Sequence, residues 1–210
     1  MYTLSRNILF LLLAPGMLAA QAPLPAPPPR LMGASFLAAR YRVGASGSLF
    51  VAGRIGPGMA VAGIIANPET HYGAFVFGAG TKVRVASNAG ATVIAAGASA
   101  SDGGSLRLYV MPAAGFGRLS VNGITAVYQP ISGVNRAQLL VDPLLLSTRV
   151  AGGVRLGLAG VYIATDGKLP DYGAGPSMQV RLPGGALSLE LVSRTRRMGP
   201  ELRGAFSAAL

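Results

Sequence analysis

The 210-residue chain predicts an all-β fold, an antiparallel up-and-down transmembrane β-barrel of roughly 8–12 strands with about 12 the best count. Three observations predict it. In segment after segment, apolar and polar residues alternate with a spacing of two, as side chains of a strand do when they point to opposite faces. The polar side of that alternation is sparse, mostly Gly, Ala and Ser with one Arg or Lys per strand, where a solvated face would carry many charges. Such residues suit the inside of a narrow barrel. Finally, the junctions alternate in length. GASG, NPET, SDGG, PISGVN, TDGKLPDYGA and RRMGP follow odd-numbered candidate strands; GPG, SNAG, AAG, STR and PGG follow even-numbered ones.

The first twenty residues are set apart. Arg6 and the amino terminus supply positive charge, ILFLLL (8–13) an apolar run, and Leu18-Ala19-Ala20 small residues for cleavage, which is the layout of a secretory signal peptide. Pro15 and Gly16 interrupt an apolar run already short of the roughly 20 residues a spanning helix needs. Residues 21–33 follow as a proline-rich tether, with Pro at 23, 25, 27, 28 and 29. Such a run is held extended and unable to join a sheet ladder. The barrel occupies 34–210. No later segment is long and apolar enough for a spanning helix, and a membrane-embedded chain without one must close a barrel to satisfy its backbone polar groups.

Within 34–210 the candidate strands are 34–43, 47–55, 59–66, 71–86, 91–100, 105–112, 116–129, 136–146, 150–164, 175–182, 186–195 and 201–210. The first is also compatible with a short helix. In 71–86, Phe75, Phe77, Val83 and Val85 oppose Gly78, Gly80, Lys82 and Arg84. In 150–164, Val154, Leu156, Leu158 and Tyr162 oppose Arg155, Gly157 and Ala159. Met178, Val180 and Leu182 oppose Gln179 and Arg181; Leu187, Leu189 and Leu191 oppose Ser188 and Glu190. Two features pull the other way. Asn122-Gly123 is a type I′ hairpin signal that would cut 116–129 into pieces too short to span. Strands 59–66, 105–112 and 175–182 are themselves slightly shorter than the roughly 9–11 residues required.

In the last strand, 201–210 (ELRGAFSAAL), Leu202, Gly204, Phe206, Ala208 and Leu210 share one face, and Glu201, Arg203, Ala205, Ser207 and Ala209 the other. This segment resembles the closing C-terminal strand of bacterial outer-membrane β-barrels, with Leu210 where an aromatic is usual. The resemblance implies an address in the outer membrane of a two-membrane bacterium, contact with outer-membrane lipid, and Leu202, Phe206 and Leu210 as a signal read by the barrel-assembly machinery. It also makes the short turns periplasmic and the longer loops external, with 165–174 the main external loop.

No catalytic constellation emerges. His71 is the single histidine, beside a loop and without a G-x-S-x-G or an orienting partner. The acids Glu69, Asp102, Asp142, Asp166, Asp171, Glu190 and Glu201 have no metal-ligand spacing, and no Cys offers a thiolate. The expectation is no enzymatic role, no cofactor and no metal. The net charge of +11 comes from cations scattered singly along strands of an exported chain, which excludes nucleic acid as a partner. The cations Arg54, Lys82, Arg84, Arg107, Arg155, Arg181 and Arg203 fall on the inward phase, with Glu190 the one acid clearly among them. Two functions follow for a barrel: a small porin-like channel favouring small anions, or a structural membrane protein with a plugged interior. The alternative is a soluble exported β-sandwich serving as a binding or adhesion module, since half-buried soluble strands also alternate.

Overall fold

The computed structural model describes residues 34–42, 46–133, 136–197 and 199–208. The predicted leader and tether lie outside them, as does Leu210. The described residues form twelve strands: β1 (Ala34–Arg42), β2 (Ser46–Ile55), β3 (Gly58–Asn67), β4 (Tyr72–Ala86), β5 (Ala89–Ala100), β6 (Gly103–Phe116), β7 (Leu119–Pro130), β8 (Gln138–Ala151), β9 (Val154–Thr165), β10 (Asp171–Leu182), β11 (Gly185–Arg194) and β12 (Pro200–Ala208). Each pairs antiparallel with the next, and β1 pairs with β12, so a single sheet closes on itself. One closed sheet replaces the two stacked sheets of a sandwich, and it leaves no unpaired edge.

The turns sort by end. Gly56-Pro57, Ser87-Asn88, Gly117-Arg118, Gly152-Gly153 and Pro183-Gly184 join strands at one rim, where β12 also finishes. The opposite rim carries the remaining connections. There Asn67 caps a 3-10 turn, Pro68–Thr70, by accepting from the Thr70 N–H at 3.3 Å. His71 ends that turn in a left-handed conformation, exposed at the loop edge.

Several predicted boundaries move. The strands that looked too short are β3, β6 and β10, of 10, 14 and 12 residues. The expected AAG turn at 113–115 lies inside β6, and the chain reverses at Gly117-Arg118. Asn122-Gly123 makes no turn. Gly123 faces a bulge of β8 around Pro143, where a Cβ would stand 2.6 Å from the Pro143 carbonyl oxygen, so close approach requires the glycine. The main loop is also shorter than 165–174. Asp171 opens β10, held by Arg194 and by the Thr195 hydroxyl at 3.2 Å.

The outer surface is apolar. Leu49, Val51, Ile64, Phe75, Phe77, Leu106, Leu144, Leu158, Leu189, Leu202 and Phe206 are all exposed on the outward phase. Soluble monomers seldom expose contiguous apolar patches beyond a few hundred Å²; here the exposure runs round the sheet, as contact with hydrocarbon requires. Inside, Ala52, Val61, Val76, Ile94, Ala96 and Ala98 pack as one apolar cluster on β2–β5, joined by Tyr109 and Met111 of β6. Leu145, Ala159, Val161 and Val192 form a second on β8–β11.

Candidate functional site: charge along the barrel interior

Strand alternation and the register place the predicted cations Arg54, Lys82, Arg84, Arg107, Arg155, Arg181 and Arg203 on the inward phase. They fall into two groups. Arg54, Lys82, Arg84, Arg155 and Arg181 lie near the short-turn ends of β2, β4, β9 and β10, and all but the half-buried Arg155 are exposed. Two further arginines join them. Arg118 sits in the β6–β7 turn, and Arg149, near the end of β8, stands directly opposite Arg155. Sequence reasoning missed both, having read 116–129 as continuous strand and 147–149 as a junction.

Among the described residues, no carboxylate shares that end. Asp102, Asp166, Asp171 and Glu201 are at or next to the opposite rim, and Asp142 and Glu190 lie further down β8 and β11. The barrel is therefore polarised along its axis, with cations alone at one mouth and carboxylates mixed with further cations in the remainder.

The other two predicted cations are buried within networks. Arg107 is 6 % exposed. Its guanidinium donates to the Tyr72 hydroxyl at 2.9 Å and to Ser105 Oγ at 3.1 Å, and lies 4.7 Å from the centre of the Tyr128 ring. Arg203 is 1 % exposed. It donates to Glu201 Oε2 through Nη2 at 2.6 Å and Nε at 3.1 Å, and through Nη1 to Asp142 Oδ1 at 2.5 Å. Glu190 stands opposite it in register. Glu201 also takes Arg194 at 3.4 Å and Arg197 at 3.0 Å, and Arg194 pairs with Asp171.

These carboxylates correct the expectation that Glu190 is the one clear inward acid. Glu201 was legible in the alternation, since it shares a phase with Arg203. Asp142 was not, because the β8 bulge shifts the phase by one residue.

The Arg203–Asp142 contact joins β12 to β8 past three intervening strands, so the sheet curls sharply there. Gly157 and Gly175 permit the curl: a Cβ on either would run into the backbone carbonyl of Leu146 or Leu191. Arg203 thus forms a strut across the inside of the barrel.

No protein-family model matches the chain, and no curated protein matches it in sequence. Its fold does match solved structures. A structure described as "KdgM porin" is 12 % identical with a TM-score of 0.59, covering 85 % of this chain and 99 % of the other. A second, "KdgM porin in complex with disordered oligogalacturonate", has a TM-score of 0.60 at the same identity and coverage. A NanC porin structure is 10 % identical with a TM-score of 0.59, covering 84 % and 99 %. The fold is that of outer-membrane porin barrels.

Proposed function

We propose that this protein is a small, anion-favouring, porin-like channel of a bacterial outer membrane, with its short turns in the periplasm. The observation that carries the reading is the axial split of charge inside a closed barrel with an apolar exterior. A confined mouth bearing Arg54, Lys82, Arg84, Arg149, Arg155 and Arg181 without a carboxylate raises the local concentration of anions. The oligogalacturonate named with one structural neighbour is a chain of carboxylated sugars. That supports acidic solutes as the class admitted here, and no reaction is assigned to the protein.

The same reading takes 1–20 as an export signal, 21–33 as a tether, surrounding lipid as the partner of the outer face, and the assembly machinery as the reader of Leu202, Phe206 and Leu210. The test is the reversal potential of purified protein in planar bilayers under a potassium chloride gradient. Chloride preference is expected, weakened or inverted by Arg155→Glu with Arg181→Glu. Electrically closed bilayers containing inserted, folded protein would leave only a structural role.

A further inference from the structure

At the short-turn end of β7–β10, four arginines form a row. Arg118 accepts the Arg149 N–H on its carbonyl at 3.0 Å, which places the two side by side. Arg149 stands opposite Arg155. Arg155 stands opposite Gln179, and Arg181 follows Gln179 by two residues on the same face, making it the diagonal neighbour of Arg155. Directly opposed like charges destabilise a strand pair, and no carboxylate among the described residues lies at this end to offset them.

The row is also braced. Arg155 Nη1 donates to Ser120 Oγ at 2.7 Å, and that hydroxyl is 2.9 Å from Ser147 Oγ, which is buried. The Arg181 N–H is tied to the Gly153 carbonyl at 2.8 Å. A guanidinium is a planar fork that binds oxyanions through paired hydrogen bonds, and several in one row suit a ligand with more than one oxyanion group.

We infer that Arg118, Arg149, Arg155 and Arg181 form a binding site for a soluble multivalent oxyanion, of the phosphate or carboxylate type, inside the short-turn mouth. The site deepens the anion-channel reading by naming where an acidic solute is held, yet binding itself does not require conduction. Arg155 is the fixed member through Ser120, and Arg149 and Arg181 close on the ligand from either side.

The test uses the folded protein in detergent and inorganic pyrophosphate as the probe, followed by titration calorimetry. Saturable binding is expected. Arg149→Ala with Arg155→Ala should weaken it by roughly tenfold or more, as loss of charge-assisted bonds predicts. Ser120→Ala, which leaves every charge in place, should weaken it by a few-fold, and Lys168→Ala at the opposite rim should not change it. Retained heat-modifiable migration on gels identifies the variants that fold.

Absence of saturable binding by the wild type overturns the site, as does equal affinity in the double variant. Binding by a barrel that conducts nothing keeps the site and removes the channel. Conduction without binding does the reverse.

Discussion

Arg203 of β12 and Asp142 of β8 meet at 2.5 Å inside the barrel, although three strands separate them in the sheet. Their partnership bridges β8 and β12 across the interior. If the barrel conducts and this bridge limits its path, Asp142→Ala should raise single-channel conductance. It should also cost about 1.5–3 kcal/mol of stability, the worth of one charge-assisted bond, because Arg203 keeps its two bonds to Glu201. Conductance traces and thermal unfolding of the same preparation check both. Unchanged conductance in a folded variant would show that the strut does not limit the path.

Arg107 offers the opposite case. Its charge is spent on Tyr72, Ser105 and the Tyr128 ring, away from the cationic mouth. Arg107→Met should lower stability by about 1–3 kcal/mol, from a lost cation–π contact and two charge-assisted hydrogen bonds. The chloride-to-potassium ratio should stay as in the wild type. A changed ratio would return Arg107 to the conducting path.

What the sequence made legible was phase, and what it hid was where phase breaks. The long run of β4 and the late strands β9, β11 and β12 declare their faces because large apolar residues recur at every second position. Small residues mislead. A narrow interior and a close approach such as that of Gly123 to β8 both favour small residues, and the same residues signal turns, so 113–115 and Asn122-Gly123 both looked like reversals. Asp142 was hidden by the bulge beside it, and with it the network that holds Arg203. The row of arginines was hidden differently. Each is a single cation in its own strand, and only the register of β8 against β9 sets Arg149 before Arg155.

Phe206 is exposed on the outer face, two residues from the end of β12. Phe206→Asp would place a charge against lipid near the short-turn interface, costing about 1 kcal/mol or less at that depth. Cells should accumulate less heat-modifiable barrel, seen by comparing heated and unheated membrane extracts on gels. Normal amounts would argue against this face as an assembly signal.

Lys168 lies in the loop between β9 and β10, exposed with its neighbours Gly167 and Leu169. An epitope inserted after Lys168 should be labelled by antibody on intact cells. Labelling that appears only once the outer membrane is opened would place the long-loop rim in the periplasm and reverse the orientation.

The confinement of the described carboxylates to one part of the barrel has an electrical meaning. A lumen with one uniform sign of charge treats traffic in both directions alike. This one is positive at the short-turn mouth and mixed above it, so an ion entering it would meet a slope instead of a symmetric well. Driven from the short-turn mouth, anions start from an enriched reservoir; driven the other way, they must first pass the carboxylates around Arg203. In a conducting barrel, equal and opposite voltages would then carry unequal currents, a one-way bias fixed by the direction in which the chain is inserted.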